Sequence, residues 1–158
     1  MAKKKNDGEH AVATNRKAYH DYFILEKHEA GLVLSGTEVK SLRDGRANLK
    51  DAYVLFKDGE AWLFGAHISQ YSHGNLNNHD PDRTRKLLMH RREIDKLSGE
   101  GTIKGNSIIP LRIYFKAGRA KVEVAVVKGK RQYDKRETER TREADRETAA
   151  AIKHGKLE

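Results

Sequence analysis

The sequence predicts a mainly β fold, a small antiparallel barrel that is closed or nearly closed, carrying small flanking helices and a charged C-terminal extension. Three observations predict it. Two stretches, "DAYVLFKDGEAWLFGAHI" and "NSIIPLRIYFKAGRAKVEVAVVKGK", have paired apolar runs around turn signals, the signature of β-hairpins. About six apolar runs at strand spacing can be counted along the chain, a number that suits a small barrel. From "VKGKRQYDKRETER" onward, Val127 to Arg140, the apolar residues nearly vanish, so nothing there can feed a core.

Taken in order, "MAKKKNDGEH" has no apolar stretch and reads as a disordered basic arm, residues 1–14, with Lys3, Lys4 and Lys5 free to touch phosphate or stay solvated. In "AYHDYFILEKHEAGLVLSG", Tyr19 to Leu25 predict a strand, "HEAG" a turn at Gly31, and Leu32 to Leu34 a second short strand. Thr37 is placed to start a short helix that ends at "DG", with Val39 and Leu42 on one face. The hairpin over Tyr53–Phe56 and Ala61–Phe64 follows, then a polar loop, "SQYSHGNLNNHDPDRTR", expected to be mobile. "RTRKLLMHRREIDKLSGEG" predicts a helix, with Leu87, Leu88, Arg91, Ile94 and Leu97 on one face and Gly99 as its stop. In the second hairpin Ile109 to Phe115 and Val122 to Val126 alternate, and Pro110, lacking an amide donor, is expected at an edge or bulge. The domain division is therefore 1–14, 15–128 for the barrel, and 129–158 for the tail.

Composition narrows the function. Among 158 residues, 32 Lys and Arg against 23 Asp and Glu give a net charge of +9, which favours a polyanionic partner, nucleic acid foremost, over mere solubility. There is no cysteine, so disulfides and thiolate metal sites are excluded. No run is long and apolar enough to span a bilayer, and a cytoplasmic protein is expected. His73, His79, Asp80 and Asp82 share the polar loop and His90 follows it, but their spacing fits no zinc motif. A nuclease using His79 with Asp80 is the enzyme alternative. No metal, cofactor or catalytic group is predicted.

Aromatic and basic residues interleave instead. Tyr19, His20 and Tyr22 lie beside Arg16 and Lys17, Lys40 and Arg43 share the short helix with Glu38, and Tyr53 opens the hairpin. Unpaired bases stack on Tyr and His while Lys and Arg hold phosphates. Most strand tyrosines are, however, simply half-buried. In the tail, opposite charges recur at spacing three (Glu137 with Arg140, Glu139 with Arg142), while Glu139, Glu143 and Glu147 repeat at spacing four. Such pairs stabilise a helix by only about 0.2–0.5 kcal/mol each. The tail reads either as disordered until a partner orders it, or as merely solvated.

"NRKAYHDYFILEKHEAGLVLSGTEVKSLR", "NLKDAYVLF", "DPDRTRKLL" and "VVKGKRQYDKRE" occur in that order between Asn15 and Glu137, and together they resemble the SmpB, or SsrA-binding, family. The resemblance implies a Greek-key barrel of the oligonucleotide-binding type with two or three flanking helices. It also implies a non-enzymatic adaptor of trans-translation. Such a protein binds the tRNA-like domain of transfer-messenger RNA (SsrA RNA) and brings it to stalled ribosomes, escorted by elongation factor Tu with GTP. Carried over by position, the RNA-binding residues it implies are His20, Tyr22, Glu29, Lys40, Arg43, Asn48, Tyr53, Leu88, Lys121 and Lys128. Glu29 stands out, since phosphate repels a carboxylate; it fits as a base-edge acceptor, as an orienter of Lys or Arg, or as a shaper of the turn. For the tail the resemblance implies ribosome contacts in the decoding centre and mRNA channel by Gly129, Lys130, Tyr133, Asp134, Lys135, Arg136, Arg140 and Arg142. Tyr133 stands where some members carry a histidine; it can stack but cannot titrate as an imidazole does. A different structured-RNA binder, or a small ribosomal protein, is the other non-enzymatic reading.

Overall fold

Period-two alternation organises the chain around three eleven-residue strands, and the other elements attach to them. The computed structural model describes residues 10–74 and 77–153; the lysines of the arm, Lys3 to Lys5, lie outside them. The elements are β1 (Ala11–Thr14), α1 (Arg16–Asp21), β2 (Tyr22–Leu32), α2 (Gly36–Arg43), β3 (Ala47–Asn48), β4 (Tyr53–Lys57), β5 (Glu60–Phe64), β6 (His67–Ile68), β7 (Arg85–Leu88), α3 (Arg91–Gly101), β8 (Asn106–Lys116), β9 (Arg119–Gly129) and α4 (Gln132–Lys153). Seven strands form one sheet in the order β1-β8-β9-β2-β7-β5-β4, and β3 with β6 makes a separate ribbon. Every pairing is antiparallel. The sheet curls until β4 comes against β8, so it approaches closure as a small barrel does.

The two faces of β9 feed different cores. Val122, Val124 and Val126 point into the main core with Leu63, Leu87 and Leu97. Ala125 and Val127 point outward, where Ala18 of α1 covers them together with Ile109 and Leu111. Side chains alternate across a strand, so one strand serves both layers. A bulge between Pro110 and Arg112 sits where the prolyl nitrogen cannot join a ladder, as expected.

Several expectations are corrected, beginning with the strand expected from Tyr19, which starts only at Tyr22 because Arg16–Asp21 is helical. The "HEAG" turn does not exist: β2 runs unbroken, paired with β9 from Tyr22 opposite Gly129 to Gly31 opposite Lys121, and a bulge near Leu25 absorbs the irregularity. Gly31 serves close approach instead, since a Cβ there would stand 3.2 Å from the Cβ of Leu88. The helix expected from Arg83 begins only at Arg91, where the amide of His90 donates to Glu93 Oε2 (3.3 Å). The preceding Arg85–Leu88 is β7, with Arg85 and Leu87 buried and Leu88 outside, because the sheet needs a strand between β2 and β5. The helix also continues past Gly99 to Gly101.

Ala11–Thr14, placed in the arm by the sequence, pairs with β8, whose outer edge would otherwise present open hydrogen-bonding groups. The described residues hold nine strands and four helices rather than six and two. The added strands are short, and among the described side chains of α4 none is buried, so neither has a strong apolar signature. The short helix has its N-cap at Ser35 rather than at Thr37. Ser35 Oγ accepts from the Glu38 amide (3.5 Å) and Glu38 Oε1 from the Ser35 amide (2.9 Å), a capping box.

Candidate nucleic-acid interface

The implied RNA-facing residues do not form one patch; the fold sorts them into groups. Along β2, Tyr22 and Glu29 are seven residues apart, about 23 Å in an extended strand.

At the first end, Tyr22 and Tyr53 line a cleft of about 230 Å³ between α1, residues 51–53 and β8. Lys17 Nζ reaches Asp51 Oδ1 (2.7 Å) within its lining. Tyr53 is 44% exposed and stacks on Phe64, their ring centres 5.5 Å apart, so one ring face is already used. Tyr22 packs against the outer core. His20, on α1, is held at both nitrogens, by Asp21 Oδ1 (2.7 Å) and by Glu139 Oε1 of α4 (2.6 Å). Those two carboxylates hold its pKa above the ordinary imidazole value, against a smaller opposing effect of burial. Asp21 is held low, first by His20 and then, against burial, by Lys135.

The second group lies at the other end of β2. Glu29, Leu88 and Lys121 line one cleft of about 410 Å³ together with His90. Glu29 is neither buried nor at a turn. The hydroxyl of buried Tyr114 donates to its carboxylate, and Lys116 Nζ approaches at 3.4 Å. The Tyr114 hydrogen bond, with Lys116 after it, holds the carboxyl below its usual range against the effect of burial. An acid placed so organises cations around it. Leu88 is 55% exposed, so the apolar helix position that would have buried it is absent.

The third group is α2. Lys40 Nζ lies 5.6 Å from the Tyr71 ring centre and the Arg43 guanidinium 4.4 Å from that of Phe115, leaving both charges at the surface. Asn48, just beyond, is exposed, but its Oδ1 accepts from the Lys50 amide (2.8 Å), which leaves the amide nitrogen as donor. Lys128 stands apart from these, exposed on β9 opposite Phe23.

The tail leaves β9 at Gly129 and docks on α1. The Lys130 amide donates to the Asp21 carbonyl (2.8 Å), its Nζ to Thr138 Oγ1 (2.7 Å), and that cation lies 5.2 Å from the Phe23 ring centre. Lys135 Nζ is 3.5 Å from Asp21 Oδ1. Asp134 opens α4 and its carbonyl accepts from the Thr138 hydroxyl (3.0 Å). Arg136 and Arg140 are exposed and Arg142 is half-buried. Tyr133 falls within the α4 backbone, but its side chain lies outside the described residues. Among the described residues the tail's ion pairs run to α1 rather than along the helix at spacing three.

The pair proposed for a nuclease dissolves here. His79 is buried, one nitrogen against the Ile68 carbonyl (2.8 Å) and the other against Thr37 Oγ1 (2.9 Å), so it pins the polar loop and leaves no nitrogen for substrate. Among the described residues no cluster of His, Asp and Glu could hold a metal, and no helix is long and apolar enough to cross a membrane. Sequence reasoning missed the partners that fix the candidates: Asp21, Tyr114 and, under α2, Arg85. Only the S-x-x-E of the α2 capping box had a readable signal.

The family model described as "SmpB protein" matches residues 12–154. The "SsrA-binding protein" of Geobacter sulfurreducens is 56% identical over 146 residues, covering 92% of this chain and 95% of that protein. That of Desulforudis audaxviator is 59% identical over 145 residues, with 92% and 95% covered. A solved chain from work described as "tmRNA-SmpB: a journey to the center of the bacterial ribosome" superposes with a TM-score of 0.66 at 45% identity, covering 80% of this chain and 93% of that one. The chain belongs to the SmpB protein family.

Proposed function

We propose that the protein is a cytoplasmic, non-enzymatic adaptor that binds the tRNA-like domain of transfer-messenger RNA and delivers it to stalled ribosomes for trans-translation. The observation that carries the reading is the 56% identity to an SsrA-binding protein across 92% of the chain. The solved relative, whose description names both tmRNA and the bacterial ribosome, supports it. The chemistry of the surface fits. Lys40, Arg43, Lys121 and Lys128 supply cations for phosphates, His20, Tyr22 and Tyr53 supply faces and donors for bases, Asn48 supplies an amide, and Leu88 an apolar contact. Glu29 acts through Lys116 and Lys121 rather than by touching phosphate. Elongation factor Tu with GTP escorts the complex, and GTP hydrolysis belongs to that factor.

The tail carries the second half of the function. Expected from its composition to be disordered, the tail is instead a helix held to α1 in the free chain; it leaves that dock and enters the mRNA channel when the message has ended. There Lys130, Lys135, Arg136, Arg140 and Arg142 meet ribosomal RNA, and an intact message excludes it. A reconstituted translation system stalled on a truncated message tests this division. The full chain supports peptide tagging, and a chain ended after Lys128 binds the RNA but does not support tagging. Undiminished tagging by the shortened chain would refute the role given to the tail.

A further inference from the structure

Two side chains of opposite charge are completely buried where α2 meets the segment between β6 and β7. Glu38 and Arg85 are each 0% exposed. The Arg85 guanidinium spends its donors in three directions: Nε to Glu38 Oε2, Nη1 to the Ala66 carbonyl (2.7 Å) and Nη2 to the Pro81 carbonyl (3.0 Å). The other Glu38 oxygen accepts from Arg83 Nη2 (2.6 Å) and from the Ser35 amide (2.9 Å). One buried carboxylate therefore both caps α2 and bolts it to β7.

An eight-residue helix is unstable by itself, and the outer side of this one carries Lys40 and Arg43. A buried ion pair adds little to stability compared with an apolar pair of equal volume, but its bonds are directional. A hydrophobic contact would let α2 slide or rotate on the sheet; a guanidinium locked to two backbone carbonyls does not.

We infer that Glu38 and Arg85 are positioning residues for RNA, which set the orientation of α2 so that Lys40 and Arg43 meet adjacent phosphates together. The inference rests on the reading of α2 as part of the RNA surface.

The test titrates the labelled tRNA-like portion of transfer-messenger RNA at several salt concentrations against the full chain and four variants. These are Lys40→Ala with Arg43→Ala, Arg85→Lys, the three changes combined, and Glu38→Leu with Arg85→Met. Arg85→Lys keeps the charge and loses the fork. The last variant replaces the pair by apolar groups and gives a folded comparison should a half-broken pair unfold the protein. Thermal melts establish which variants are folded.

Arg85→Lys and the apolar pair are expected to weaken binding about tenfold and to flatten the salt dependence by about 1.4–1.8 in slope, the loss of two phosphate contacts. Adding Arg85→Lys to the Lys40/Arg43 double variant is expected to change nothing further. Equal losses in both backgrounds, or wild-type binding by the folded node variants, would overturn the inference. Wild-type affinity and slope in the Lys40/Arg43 double variant would remove α2 from the RNA surface, and the inference with it. Failure of the unaltered chain to bind would instead refute the proposed function itself.

Discussion

Nε2 of His20 and Oε1 of Glu139 lie 2.6 Å apart although 119 residues separate them in the chain. Through this contact the tail helix occupies Nε2 of a residue proposed for RNA, so on that proposal Nε2 cannot hydrogen-bond RNA and Glu139 at once. On the same proposal, release of the tail would be coupled to a hydrogen bond from RNA at that nitrogen.

The contact between His20 and Glu139 should depend on pH. His20 faces Asp21 on its own helix and Glu139 on α4, with Lys135 beyond Asp21, and its folded pKa is raised. A raised histidine contributes fully below its unfolded value of about 6.5, and its contribution is lost as pH rises through the folded value. Docking of α4 should therefore weaken above about pH 6.5. Hydrogen exchange of the α4 amides, corrected for intrinsic rates, should show less protection at alkaline than at mildly acidic pH. In Glu139→Gln the His20 titration should move down toward the ordinary imidazole range by NMR; an unmoved titration would mean that Glu139 does not hold it.

Acid should attack the α2 node. Burial pushes the Glu38 carboxyl up, but Arg83, the Ser35 amide and Arg85 outweigh it and bring the pKa down to about 2. A depressed carboxylate contributes above its unfolded value, 4.5 here, and loses that contribution as pH falls toward 2. The shift corresponds to a loss on the order of 3 kcal/mol. Glu38→Ala at neutral pH leaves Arg85 buried and unpaired, an expected cost of about 3–5 kcal/mol. Urea unfolding across this pH range checks both, and the variant should show a flatter acid limb than the wild type.

Tyr114 is 2% exposed and donates to Glu29. Tyr114→Phe should cost about 1.5–3 kcal/mol, the range for a hydrogen bond to a charged group. The Glu29 carboxyl should rise toward its usual value in the same variant, because its first stabilising partner is gone. Carbon-detected titration of Glu29 reads the shift directly. An unchanged titration would give the carboxylate's environment to Lys116 instead.

Gly31 gives a steric prediction. Gly31→Val places a branched side chain where even a Cβ comes within 3.2 Å of Leu88, so β2 and β7 must part. Overpacking of this kind costs about 1–3 kcal/mol. The same shift deforms the cleft of Glu29, Leu88 and Lys121, so RNA affinity should fall along with the melting temperature.

Much of this could be read from residue order. The two hairpins were legible because alternating apolar residues flank "DG" and "AG", the chemistry of tight turns; Asp58, Gly59, Ala117 and Gly118 all have positive φ. β7 was not, because in four residues Leu87 and Leu88 fit a helical face as well as a strand, and only pairing with β2 and β5 decides. Gly31 looked like a turn because a glycine needed for close approach has the same letter as one needed for φ. The candidate cations could be named by type, and the resemblance to the family picked them out by number, but the fold sorts them into separate groups. Their supports were not: Glu29 meets Tyr114 across 85 residues and Glu38 meets Arg85 across 47, distances at which local spacing carries no information.

The most direct measurement is a titration of the full chain against the labelled tRNA-like portion of transfer-messenger RNA, with ordinary tRNA in excess and salt varied. Tight binding that survives the competitor, and weakens by about two powers of ten as salt rises from about 50 to 200 mM, is the predicted result, because it combines specific recognition with several phosphate contacts. Binding abolished by ordinary tRNA would contradict the account, leaving a basic RNA-binding surface on a family fold without the family's selectivity.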